Sequence, residues 1–134
     1  MRKFLVSAVL GLALAGLASL AASAQPAQCG RVAVGSSGVA TTLVIPGVAG
    51  QGTHLCGWDV TATAIGTWQL ITGTGATCGT NTVNITAAHS ISAQNVLSSS
   101  GATPGRFSTP AANNTCVIVT GTGPIQWTIY YTQF

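Results

Sequence analysis

Residues 54–73 read HLCGWDVTATAIGTWQLITG, and this stretch decides the fold class. Side chains of an extended chain point alternately to opposite sides, so a period of two separates a buried face from a wet one. Over 54–65 the even positions are His54, Cys56, Trp58, Val60, Ala62 and Ala64. The odd positions are Leu55, Gly57, Asp59, Thr61, Thr63 and Ile65. The even set is assigned to the core, and Trp68 and Leu70 continue it past Gly66. Thr, Val and Ile suit pleated strands because their branched side chains lose little freedom there. Strands at 54–65 and 67–73, forming a hairpin around Gly66, are therefore expected.

The same reading extends along the chain. Further strands are expected at 31–35, 40–46, 81–88, 90–97, 115–120 and 125–132, with Gly, Asn and Pro clusters between them. Pro46-Gly47 and Gly73-Thr74-Gly75 end two of them, and Gly121-Thr122-Gly123-Pro124 turns a last hairpin. Short strands at this spacing, with no helical periodicity, predict an all-β chain. The expected architecture is a small antiparallel β-sandwich, jelly-roll or Ig-like, stapled by two disulfides.

The N-terminal end has a different composition. Met1-Arg2-Lys3 precedes an apolar run from Phe4 to Leu20, and Ala22-Ser23-Ala24 fits a small-x-small cleavage site. This pattern predicts a signal peptide over 1–24 and a single β-sandwich domain over 25–134, exported and not membrane-spanning after cleavage. Export agrees with four cysteines, Cys29, Cys56, Cys78 and Cys116, none in a Cys-x-x-Cys pair. Two disulfides are the default in an oxidising compartment, and three connectivities exist. A hairpin around Gly66 brings Cys56 and Cys78 nearly opposite each other, so Cys56–Cys78 with Cys29–Cys116 is the expected pairing.

Charge narrows the function. Past residue 24 the chain holds Arg31, Arg106 and Asp59, a net of +1. No basic patch is available for nucleic-acid phosphates. A lone carboxylate makes neither a glycosidase pair nor an aspartic dyad, and it makes no carboxylate-rich Ca²⁺ cage. His54 and His89 are the remaining candidates for metal or base chemistry, but no third metal ligand and no Gly-x-Ser-x-Gly elbow accompany them. Both read as strand-end residues. No catalytic, cofactor or metal residue is assigned, and no cofactor is expected.

Aromatic residues suggest a glycan surface, but Trp58, Trp68 and Trp127 all fall on expected core faces. Tyr130, Phe107 and Phe134 are left as exposed rings. In the last strand Ile125, Trp127, Ile129 and Tyr131 form the apolar set. Gln126, Thr128, Tyr130 and Thr132 face away, with Phe134 after them. This strand is long, uncharged and terminal, which makes those five residues the candidate interaction strand, available as a sheet edge.

The segments Leu55-Cys56-Gly57-Trp58, Gly73-Thr74-Gly75-Ala76-Thr77-Cys78, Asn114-Thr115-Cys116-Val117 and Tyr131-Thr132-Gln133-Phe134 carry a resemblance. They resemble small four-cysteine secreted β-proteins of bacteria and their phages, with Trp58 where a Tyr is more usual. The resemblance implies a secreted or virion-associated β-domain and supplies no catalytic residue. The expected function is a non-enzymatic structural or interaction module, associating with itself or with another surface or virion protein through sheet edges. A pilin-like fibre subunit and a surface-glycan-binding module are the alternatives.

Overall fold

A computed structural model describes residues 29–100 and 107–134. The expected signal peptide and Arg106 lie outside the described residues. Among the described residues ten strands follow one another: β1 (Arg31–Ser37), β2 (Ala40–Ile45), β3 (Thr53–Ala62), β4 (Gly66–Thr74), β5 (Thr80–Asn84), β6 (His89–Ile91), β7 (Val96–Ser100), β8 (Ser108–Thr109), β9 (Asn114–Gly121) and β10 (Ile125–Gln133). They form two antiparallel sheets. Sheet A runs β1-β10-β3-β7, with β8 also on β3; sheet B runs β2-β9-β4-β5, with β6 also on β4. If β5 with β6 and β7 with β8 are each taken as one broken strand, the eight strands form two four-stranded sheets in jelly-roll order, with β4 and β5/β6 consecutive in sheet B. The Ig-like alternative, which groups its strands differently, is not the one adopted.

Several sequence expectations give way to this order. Residues 54–65 and 67–73 are not a hairpin: β3 lies in sheet A and β4 in sheet B. Each strand has one apolar face, and an apolar face can be buried by facing another sheet as well as by lying beside a neighbour. Trp58 and Trp68 meet across the sandwich, with ring centroids 5.6 Å apart. Residues 63–65 cross between the sheets. Gly121–Pro124 does the same, so β9 and β10 are not hairpin partners either. The two crossings touch: a Cβ on Gly121 would come within 2.5 Å of Gly66 Cα and the Ile65 carbonyl oxygen, and its φ is +127°. The expected strand 90–97 divides into β6 and β7, on opposite sheets.

Without that hairpin, the expected disulfide pairing loses its geometric basis. The bonds are Cys29–Cys56 and Cys78–Cys116, with Cα atoms 6.2 and 6.1 Å apart. Cys116 alternates with the core residues Val117 and Val119, so it points away from the sandwich interior. With Ile71 and Cys78 it forms a small second cluster on the outer side of sheet B, flanked by Ile118. The bond therefore pins the β4–β5 turn to that outer side. Cys29–Cys56 ties the start of β1 to β3 although β10 lies between those strands.

Cys56 also marks a break in the alternation. Tyr130 pairs with Gly57 and Tyr131 with Leu55, leaving Cys56 as the extra residue of a β-bulge. One extra residue reverses which parity faces inward. Trp58, Val60 and Ala62 stay in the core, but on the other side of the bulge Leu55 takes the core position. The even-face assignment thus fails at His54 and Cys56, and it also ends before Ala64, which lies beyond β3. The main core lies between the sheets, with Trp58, Trp68 and Trp127 at 4%, 0% and 2% exposure. Among the described residues their indole N–H groups have no hydrogen-bond partner, so packing area is what these rings supply.

Candidate functional site

The candidate interaction strand is not an edge. β10 lies between β1 and β3, with both of its sides paired. This strand was expected to be open at a sheet edge; here β1 covers it. Its outward side chains nevertheless reach the surface, and the structure groups three of them with residues from neighbouring strands.

The register fixes this grouping. Two cross-strand rows run over the outer face of sheet A: Val34–Thr128–Asp59–Ser98 and Ser36–Gln126–Thr61–Val96. Beside the first row, Tyr130 stands opposite Gly57, where no side chain competes for space. From there it reaches diagonally to Asp59, as long side chains on neighbouring strands can. The Tyr130 hydroxyl donates to Asp59 Oδ2 at 3.1 Å, and Ser98 Oγ donates to Asp59 Oδ1 at 2.5 Å. Donation to a carboxylate stabilises the protonated phenol, so the Tyr130 pKa is raised above the ordinary tyrosine value, chiefly by this hydrogen bond and then by the charge of Asp59. An open basin of about 410 Å³ lies on these rows, lined by Val34, Ser36, Asp59, Thr61, Gln126 and Thr128 and by parts of Gly35 and Trp127.

The other sequence candidates lie elsewhere. His54 is buried and its Nδ1 shares a hydrogen bond with Ser108 Oγ at 3.2 Å. The half-buried His89 ring lies 6.4 Å from that of Trp68. Neither His forms a hydrogen bond with Asp59, so the formal Ser-His-Asp combination is not assembled. Among the described residues no group of three or more His, Cys, Asp or Glu is placed to hold a metal. Phe107, expected as an exposed ring, packs edge-on against Trp58 with centroids 5.3 Å apart. Tyr130 and Phe134 are exposed. Thr132, beyond the bulge, pairs with His54, and the Phe134 backbone exchanges two hydrogen bonds with Gly52.

Gln133 has a role that the pattern of apolar positions does not signal. Its amide nitrogen donates to the Pro46 carbonyl and to Thr53 Oγ1, and its oxygen accepts from Arg31 Nη1 at 2.7 Å. One side chain thus joins β1, the β2–β3 connection, β3 and the C-terminal end. Arg31, the sole Lys or Arg among the described residues, is engaged there.

Among the described residues β1, by contrast, is an open edge of sheet A, paired on one side with β10. Past Arg31 it carries no charge, and its Val32 and Val34 side chains are 53% and 74% exposed. Sequence patterning had placed the sheet edge at β10, whereas β1 holds that position, because alternation does not say which neighbour a strand takes.

Comparison with protein-family models finds no match, and comparison with curated proteins finds none. Among solved structures, one described as the crystal structure of PirA aligns with 76% of this chain and 90% of its own, at 17% identity and a TM-score of 0.35.

Proposed function

We propose that the chain is an exported, non-enzymatic interaction module that pairs through the open edge of sheet A with a second copy of itself or with a surface partner. The observation that carries this reading is β1, an edge strand among the described residues that has no charge past Arg31 and two exposed valines. Edge strands that must stay solitary are commonly blocked by Lys, Pro, a bulge or an inward-pointing charge. From Val32 to Ser37, β1 has no charged residue and no proline, and its pairing with β10 is regular throughout. Two disulfides fit an oxidising extracellular or periplasmic setting. The leader-like segment 1–24 and the resemblance to secreted four-cysteine β-proteins support the same setting. The non-enzymatic part of the proposal is supported by Asp59, whose partners are two hydroxyls and no base.

Light scattering across a concentration series tests the self-pairing form. The wild-type mass is expected to rise with concentration, and Val32→Lys to hold the protein monomeric by placing a charge on the edge. A wild-type protein that stays monomeric at every concentration contradicts it.

A further inference from the structure

We propose that the basin on the outer face of sheet A binds a neutral saccharide, with Asp59 as its central acceptor. The basin includes Val34 and Ser36 of β1 but lies on the outer face of the sheet, and it does not depend on the self-pairing reading. Asp59 is half-buried, and among the described residues it forms no ion pair. Its two oxygens each accept one hydroxyl bond, from Ser98 and Tyr130. A carboxylate has about four lone-pair positions, so those two bonds fix its orientation and leave acceptor capacity for a ligand. Ser98 approaches from the β7 side, opposite to β10 and the basin.

The basin lining selects the ligand class. Thr61, Gln126, Thr128 and Ser36 offer hydroxyls and an amide that both donate and accept. Val34, 74% exposed, offers an apolar surface beside them for the C–H face of a sugar ring. An anionic ligand would meet a carboxylate with no cation among the described residues to offset it. An apolar ligand would desolvate that carboxylate without pairing it. A cation would gain little from one half-buried surface charge that already holds two hydrogen bonds. A neutral polyol fits each part: its hydroxyls donate to Asp59 in charge-assisted bonds and accept from Gln126 and the threonines. About 410 Å³ lies within the ordinary range of small-molecule sites, roughly 300–1,000 Å³.

The test is a two-dimensional amide NMR titration of the oxidised protein with cellotetraose, maltotetraose, mannotetraose and chitotetraose, at low and at high salt. Butylammonium chloride serves as the cationic probe. At least one saccharide should give saturable shifts confined to residues 34–36, 59–61 and 126–128, unchanged by salt. Asp59→Ala should weaken binding about tenfold or more, the size expected for losing hydrogen bonds to a charged group. Tyr130→Phe, which keeps the ring, should weaken it less, by freeing the carboxylate from its fixed orientation. The amide spectra show directly whether each variant is folded, and Asp59→Asn replaces Asp59→Ala if the latter is not. The proposal is overturned if none of the four saccharides shifts these residues. It is also overturned if butylammonium alone binds, or if saccharide binding survives Asp59→Ala unchanged in a folded protein.

Discussion

Asp59 shows how much a single residue depends on its neighbours. As a sequence feature it is an isolated carboxylate with no partner in sight. In the fold it receives hydroxyls from Ser98 and Tyr130, residues 39 and 71 positions away. The hydrogen bond to Asp59 makes a prediction about Tyr130. Because the phenol donates to a carboxylate, its proton is held more tightly in the folded chain, and its pKa lies above the ordinary value of about 10. This contribution to stability is complete below the ordinary tyrosine pKa and is lost as pH rises through the raised one. NMR titration of the Tyr130 ring should show a downward shift of its pKa in Asp59→Asn, and no shift would contradict the contact. Gly35 gives a second residue-scale prediction. A Cβ there would sit 2.9 Å from Trp127 Cζ2, so the indole must move to admit it. Gly35→Val should destabilise the protein by about 1–3 kcal/mol, the usual effect of overpacking, read as a lower urea midpoint.

At the level of elements, period-two patterning located most strands, because a half-buried strand writes its two faces into alternate residues. It did not locate their partners. The pattern of β3 and β4 is satisfied equally by a hairpin and by two sheets facing each other, and the choice depends on long-range packing such as Trp58 on Trp68. The bulge at Cys56 was not legible either, since an inserted residue looks like any other until the partner strand is known. The first of these gaps produced the wrong disulfide pairing. Of the candidate site, the outward positions Gln126, Thr128 and Tyr130 were legible from alternation; their convergence with Asp59, Val34 and Ser36 was not. The observed connectivity makes a direct prediction. Peptide mapping without reduction should recover Cys29 joined to Cys56 and Cys78 joined to Cys116, with no alkylatable thiol. A peptide joining Cys56 to Cys78 would contradict the two-sheet arrangement. The bonds close loops with sequence separations of 27 and 38, and losing either should cost about 2–4 kcal/mol.

For the molecule as a whole, a jelly roll leaves each sheet with two edges, and protection is distributed unevenly among them. On one side of sheet A, β7 and β8 share the flank of β3 as short pieces, five and two residues long. Short, interrupted strands offer little template for another chain. On the other side β1 runs seven residues in unbroken register with β10. Two copies paired antiparallel along β1 would make one continuous sheet with twofold symmetry, the commonest arrangement for a dimer. The two basins would then share one outer face, so the edge and the proposed saccharide site are compatible without depending on each other.

Amide hydrogen exchange of β1, measured residue by residue at low and at high protein concentration, tests this edge most directly. In an antiparallel strand alternate N–H groups point to opposite sides, so in the free chain one alternate set within 32–36 faces the open edge and exchanges quickly. Pairing of β1 with a second copy predicts that this set becomes protected as concentration rises, and that Val32→Lys abolishes the protection. Exchange of those amides that stays fast and independent of concentration would contradict the account.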